Sequence, residues 1–235
     1  MEGVSARVAV VMDRAIIRSD FDTIARLSDV HGCGSDRYGR FMASLVPGRA
    51  TRVLDIGCRL GGFAARLAAP GREVIGVDLS PEMIARARRA GRDTPGLSFL
   101  CADFLEFDFG AGGFDCVVSS AALHHMDTDA AVRRMVELLR PGGRLIIHDL
   151  RADAGPLERA LTVCALAQEA IERLARTGHL RSPRPLREAW ARHGAREAYL
   201  TIREARSLAV RLLPGAVVHY HWLFRYTIVW DKQRA

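Results

Sequence analysis

The chain has 235 residues, 49% hydrophobic and 26% charged, enough for one well-cored domain with insertions and ordinary for a soluble fold. It contains no apolar run near the ~20 residues a membrane span needs, and its N-terminus lacks the layout of a secretory signal. The formal net charge is +7, and Lys232 is the only lysine, so nearly all the positive charge is arginine. That bias reads as base composition rather than polyanion binding. The arginines are spread along the chain, and the denser stretch from Arg176 to Arg196 holds Trp190 but no interleaved aromatics for stacking bases. Five cysteines (Cys33, Cys58, Cys101, Cys116, Cys164), odd in number and without CxxC spacing, point to a reduced, cytoplasmic protein without structural zinc.

In chain order, the first 50 residues read as helical, broken by Gly32-Cys33-Gly34. Val53–Gly57 reads as a buried strand. Asp55-Ile56-Gly57-Cys58-Arg59-Leu60-Gly61-Gly62 then forms a glycine turn that opens a helix over Phe63–Ala69. Such a turn lets backbone approach a ligand and aims helix N–H groups at it. Val74–Leu79 is a second strand, and the spacing places Asp78 where a nucleoside ribose hydroxyl would be gripped. Ser80 caps the next helix with Pro81 at its first position, and the helix ends at Gly91. Leu97–Ala102 and Phe114–Ser119 are strands three and four. Thr128 caps a helix stopped by Pro141-Gly142-Gly143, and Arg144–His148 is strand five. This alternation gives βαβ units, a parallel sheet and a doubly wound α/β fold.

Past residue 150 the style changes. Pro156 to about Ala175 reads as a long helix with Leu157, Leu161, Cys164, Ala165, Ile171 and Leu174 on one side. Ser182-Pro183-Arg184-Pro185 reads as a linker. Thr201-Ile202-Arg203-Glu204 matches a capping box for a helix ending before Pro214-Gly215. Val217–Trp222 and Tyr226–Lys232 then form two strands joined by a tight turn.

These residues resemble the class I S-adenosylmethionine-dependent methyltransferases, in their small-molecule, type 11-like branch. Val53–Cys58 is similar to that family's first motif and Val77–Met83 to its second. Ala102-Asp103-Phe104 is similar to its adenine-contacting segment, Phe114 through Met126 to its fourth motif, and Leu138–Gly143 to its fifth. The resemblance covers roughly residues 50–150 in the right order and spacing. Leu213–Ala216 and Phe224–Trp230 resemble the closing hairpin of one branch. The resemblance implies a Rossmann-like seven-stranded sheet, mostly parallel, with an antiparallel last strand. It implies one methyltransferase domain, with 1–50 a helical cap, 51–150 the cofactor-binding core, 151–213 a helical lid and linker, and 214–235 the closing hairpin. The implied reaction is transfer of the methyl group of S-adenosylmethionine, releasing S-adenosylhomocysteine, to an oxygen, nitrogen or carbon of a small metabolite. The implied protein is a monomer or homodimer acting without nucleic acid or membrane.

The resemblance carries over to single residues. Asp55 would sit beside the cofactor amino group or stabilise the turn. Asp78 would hold the ribose. Asp103 would accept from the adenine amino group with Phe104 against the ring, or the two would be a cap and a core aromatic. Ser119 ends strand four, where ligands of open α/β sheets bind. Gly57, Cys58, Gly61, Leu79 and Met83 complete the cofactor set within the motifs. Tyr38, with Arg37, lies in the region that folds over the cofactor in similar enzymes. One position departs: the family has glycine where this chain has Arg59. Arg59 either adopts a permitted backbone angle and points to solvent, or pairs with the cofactor carboxylate, or marks a decayed site, which would make the chain an inactive binding partner. His124 and His125 are candidate bases for a hydroxyl or amine acceptor, against simple packing and solvation. Adjacent histidines lack helical metal spacing, so no metal is expected. His148 and His219–Trp222 read as sheet residues. Methyl transfer needs alignment more than a protein nucleophile, which fits the lack of a Ser-His-Asp or Cys-His set. A nicotinamide-dependent oxidoreductase is a rival reading, but Gly57–Gly62 does not fit its G-x-G-x-x-G pattern. The fourth motif carries no Asn/Asp-Pro-Pro-aromatic segment and the chain no Pro-Cys dipeptide, which argues against DNA methylation.

Overall fold

The structure is a computed structural model that describes residues 13–28 and 38–234; Gly32-Cys33-Gly34 and Arg37 lie outside them. The chain runs through α1 (Arg14–Leu27), α2 (Gly39–Leu45), β1 (Arg52–Ile56), α3 (Gly62–Leu67), β2 (Glu73–Asp78), α4 (Pro81–Gly91) and β3 (Leu97–Cys101). It continues with β4 (Phe114–Ser120), a 3-10 turn (Leu123–His125), α5 (Thr128–Leu138), β5 (Leu139–Leu150), α6 (Pro156–Thr177), α7 (Arg184–Gly194), α8 (Ile202–Leu212), β6 (Val217–His221) and β7 (Arg225–Asp231). The seven strands form one sheet in the order β3-β2-β1-β4-β5-β7-β6. β1 to β5 pair in parallel, and β7 runs antiparallel to both β5 and β6. The expected doubly wound α/β fold with an antiparallel closing strand is the fold observed.

Strand alternation builds the two faces. Leu54 and Ile56 of β1, Val117 of β4 and Leu145 and Ile147 of β5 pack with Met135 and Leu138 of α5 and Leu208 of α8. Val53, Val74, Val118 and Ile146 point the other way, against Met42 of α2, Leu67 of α3 and Ile84 of α4. A third cluster stands apart from both. Ile17, Phe21, Ile24 and Ala25 of α1 meet Met83 of α4 and Ala189 of α7. This cap is also pinned by charge, because Asp22 on α1 accepts from the Ser80 hydroxyl (2.5 Å) and the Glu82 N–H (3.3 Å) at the start of α4.

Local chemistry explains most boundaries. Ser80 caps α4 by accepting from the Met83 N–H, and Thr201 and Glu204 form a complete capping box on α8. Four expectations change. Asp127, not Thr128, caps α5, because its carboxylate accepts from the Ala130 N–H. β5 begins at Leu139 rather than Arg144, since Leu139 already pairs with Phe114 and the glycine-rich segment is absorbed as a register irregularity. Arg184 opens α7 where a linker was expected, because the prolines of 183 and 185 sit at a helix entrance, where they lose no hydrogen bond. Finally, α6 has the expected span but not a buried stripe. Ala165 is buried, whereas Leu157 is 73% exposed and Ile171 65%, with Leu174 and Cys164 also exposed. Cys101 is likewise exposed, although β3 carries it.

The β6–β7 turn is tight, with Leu223 and Phe224 at φ of 64° and 47°. Trp222 and Gln168 join the hairpin to α6, the indole N–H donating to the Gln168 side-chain oxygen.

Candidate functional site

A cavity lies at the carboxyl ends of β1, β2, β3 and β4, partly roofed by α1. Its lining includes Gly57 and Arg59 after β1, Asp78 and Leu79 at the end of β2, Asp103 and Phe104 after β3, and Ala121, Ala122 and His125 after β4. Arg14, Ile17 and Phe21 of α1 complete it. A second, open depression lies at the opposite end of the strands and is rimmed by Arg49, Arg144, Lys232 and Arg234. Ligands of open α/β sheets bind at the carboxyl ends, which makes the first cavity the candidate site.

Gly57 makes the turn possible. Its φ is +71°, and a Cβ there would stand 2.4 Å from the Ala122 Cβ. Gly61, at φ +78°, is the residue before α3, and a Cβ on it would strike the Phe99 ring at 2.5 Å. Gly61 therefore shapes the turn without lining the cavity. Cys58 is buried in the core below it, and its thiol is pushed well up by burial and by Asp78 and Asp55.

Asp78 is nearly buried. Its Oδ2 accepts from the Arg59 N–H (2.9 Å) and its Oδ1 from the Ser80 N–H (2.9 Å). Burial raises its pKa, and those two donors and the Arg59 charge work against the rise. Each carboxylate oxygen keeps a further lone pair for a ligand hydroxyl. Asp103 turns its Oδ1 to the Leu105 N–H (2.8 Å) and pairs its Oδ2 with Arg14 (2.9 Å). Phe104 belongs at once to the cavity wall and to the sheet core.

Asp55 is 1% exposed and neither of its oxygens has a hydrogen-bond partner. Burial, then the Asp78 charge, pushes its pKa up to about 8. A turn-stabilising role would require an accepted N–H, which Asp55 lacks. Ser119 is also fully buried, and its hydroxyl has no partner. Met83 lies in the α1–α4–α7 cluster rather than on the cavity surface.

Arg59 does not follow its solvent-pointing expectation. Its φ is +52°, in the left-handed region, and its guanidinium stacks 5.1 Å from the Trp190 ring centroid on α7. An L-residue there costs roughly 1–2 kcal/mol. The Arg59 N–H bond to Asp78 and the cation–π contact offset that cost. Tyr38 does not line the cavity either. Its hydroxyl donates to the Trp222 carbonyl, and its ring lies 4.9 Å from that of His148 and 5.0 Å from that of His221.

The two candidate bases part company. His124 keeps its ring behind the wall, with Nδ1 2.6 Å from Asp149 Oδ1 and Nε2 3.3 Å from Glu197 Oε1. Burial alone would lower its pKa, but these carboxylates hold it up at about 9. His125 lines the cavity, and burial and the neighbouring His124 push its pKa down to about 3. Sequence reasoning missed the partners of this pair. Asp149 is 25 residues away and Glu197 73. His193 on α7 reaches Glu197 at 2.7 Å and Asp20 on α1 at 3.1 Å. His148 is buried and shares the Thr227 hydroxyl with His221, each at 2.8 Å.

Residues 54–147 match the family described as methyltransferase domain. An uncharacterized methyltransferase of Mycobacterium bovis is 31% identical over 199 residues, covering 82% of this chain and 93% of that one. The chain belongs to the methyltransferase family. The demethylmenaquinone methyltransferase of Beutenbergia cavernae is 34% identical over 136 residues, 55% of each chain. Among solved structures, a phosphoethanolamine N-methyltransferase of Haemonchus contortus, bound to phosphomonomethylethanolamine and S-adenosylhomocysteine, superposes with a TM-score of 0.62. It is 18% identical and covers 86% of this chain and 53% of that one, a likeness of fold.

Proposed function

We propose that this methyltransferase transfers the methyl group of S-adenosylmethionine to an oxygen, nitrogen or carbon of a small metabolite. The observation that carries the reading is convergence. The Gly57–Arg59 turn, the Asp78 carboxylate and the Asp103–Phe104 pair come from three strand ends and face one cavity. The residues present fit the cofactor. Asp55 is a buried carboxylate without a hydrogen-bond partner, and a cofactor ammonium group would relieve its burial.

In this reading Asp78 accepts from the ribose hydroxyls, Asp103 faces the adenine amino group and Phe104 lies against the ring. Cys58, Gly61, Leu79, Met83 and Ser119 shape the turn and strand ends beneath. Tyr38 buttresses the rim through Trp222 and His148. Arg59 is held on Trp190, within the cavity wall, where a methionine carboxylate would find a guanidinium. The cofactor supplies an electrophilic methyl on a sulfonium whose departure needs no protonation. The protein aligns the acceptor and keeps water out with Ile17, Phe21 and Met126, apolar groups of the wall. Both nitrogens of His124 already face carboxylates, which favours a positioning role for it, and His125, which lines the cavity, is the candidate base of the two.

A compact acceptor is favoured by the α1 roof over the cavity. A reducing, cytoplasmic setting is supported by the four free cysteines among the described residues, and no described helix is long and apolar enough to cross a membrane. The inactive-partner alternative drew on Arg59, whose N–H still reaches Asp78 across an open turn.

Calorimetry with S-adenosylhomocysteine tests the reading. Asp78→Ala removes charge-assisted bonds worth ~1.5–3 kcal/mol, so affinity should fall about 10- to 100-fold. Equal affinity in both proteins, or no binding by the wild type at millimolar ligand, rejects the site.

A further inference from the structure

We propose that His124, His125, His193 and Glu197 form a site for a divalent transition-metal ion of the zinc class, set behind the cavity wall. One carboxylate oxygen, Glu197 Oε1, is shared by all three rings. Glu197 Oε1 lies 2.7 Å from His193 Nε2, 3.3 Å from His124 Nε2 and 3.6 Å from His125 Nδ1. The donor atoms of His124, His125 and Glu197 all fall within 4.8 Å of one another. Ligands around a tetrahedral ion with bonds near 2.1 Å stand about 3.4 Å apart, which the His124 and His125 separations from Glu197 match, whereas His193, at hydrogen-bond distance from Glu197, would have to draw back to complete the shell.

Hydrogen bonding alone accounts for the cluster poorly. One carboxylate oxygen has two lone pairs, yet three imidazole nitrogens crowd Glu197 Oε1. The other oxygen, Oε2, is already taken by the Tyr199 hydroxyl. His125 Nδ1 is buried without any hydrogen bond, and its side chain is only 10% exposed. A buried, unpaired ring nitrogen aimed into such a cluster is costly unless it has a partner.

The outer shell is also in place. His124 presents Nδ1 to Asp149 (2.6 Å), and His193 presents Nδ1 to Asp20 (3.1 Å). A carboxylate behind each ring fixes the Nδ1–H tautomer and turns the Nε2 lone pair toward the common point, the arrangement by which proteins orient histidine ligands. Three imidazoles and one carboxylate suit zinc and its neighbours, whereas magnesium and calcium prefer all-oxygen shells. The ion would join the 3-10 turn, α7 and the segment after it. Through Asp20 and Asp149 it would also tie α1 to the end of β5. This site is independent of whether the cavity takes S-adenosylmethionine.

The test strips the full-length protein with a chelator and titrates it with Co²⁺. The expected result is one Co²⁺ per chain with intense visible absorption of tetrahedral type, displaced by one equivalent of Zn²⁺. Glu197→Gln and His193→Ala should weaken binding at least 100-fold, and Asp149→Asn, which removes only an outer partner, by 10- to 100-fold. A spectrum like that of aqueous Co²⁺, or full affinity in Glu197→Gln, overturns the proposal. If a variant fails to fold by circular dichroism, the wild-type titration decides alone. Calorimetry of S-adenosylhomocysteine on the stripped protein separates this outcome from failure of the methyltransferase reading.

Discussion

At the scale of single residues, Arg59 and Asp55 both pay locally for a site. Arg59 holds a left-handed backbone that glycine adopts freely, and it recovers part of the cost through Asp78 and Trp190. Arg59→Gly should therefore fold at least as well as the wild type. If the guanidinium meets the cofactor carboxylate, S-adenosylhomocysteine affinity should drop about tenfold or more in calorimetry, the loss of a charge-assisted bond. Unchanged affinity would leave Arg59 as a brace for α7. Asp55 gives a pH signature. Its pKa is raised to about 8 in the fold, against about 4 when unfolded. Between those values the native state holds a proton that the unfolded chain has released. The stability of the unliganded protein should thus fall as pH rises from about 4 to about 8 and level off above, by an amount on the order of a few kcal/mol. Asp55→Asn should flatten that slope in denaturant titrations and be the more stable protein at pH 9. An unchanged slope would mean that Asp55 ionises freely in the fold.

At the scale of elements, what was legible depended on whether the signal was local. Ser80-Pro81 and Thr201-x-x-Glu204 announce their helices because capping is a contact within four residues. α7 stayed hidden because Pro183 and Pro185 read equally well as a linker and as a helix entrance. The interior of β5 was visible, but its start was not, since pairing of Leu139 with Phe114 is decided across strands. The glycine turn and Asp78 were singled out by their spacing and Asp103 by the resemblance, and all three line the cavity. A helical cap over residues 1–50 was expected from the resemblance, but its lining residues Arg14, Ile17 and Phe21 carry no motif that singles them out. Periodicity gave α6 an apolar side but could not say whether anything covers it. Leu157 is 73% exposed, whereas Leu208 on α8 is 4% exposed within the main core. Leu208→Ala should cost roughly 2–5 kcal/mol by chemical denaturation, and Leu157→Ser should stay within about 0.5 kcal/mol. A large loss in Leu157→Ser would mean that α6 packs against something in solution.

At the scale of the whole molecule, the architecture divides into a sheet with two buried faces and a separate cap. β1, β4 and β5 lie in the centre of the sheet and contribute to both large clusters. α1 and α7 bury their apolar residues mainly against each other and Met83, and the Asp20–His193 pair and the hydrogen bond from Ser80 to Asp22 complete their attachment. Because α1 roofs the cavity, a ligand as large as a nucleoside cofactor enters most simply when that cap opens. Opening exposes one small cluster and spares the two large ones, so it costs less than global unfolding. Hydrogen exchange read by mass spectrometry should then show α1 and α7 exchanging together, well ahead of β1 and β4. Saturating S-adenosylhomocysteine, which contacts both the sheet ends and the roof in the proposed complex, should slow the cap by the free energy of binding and leave the central strands nearly unchanged. Equal protection of α1 and β4 without ligand would show that the cap and sheet open as one unit, and that the ligand enters without the cap moving.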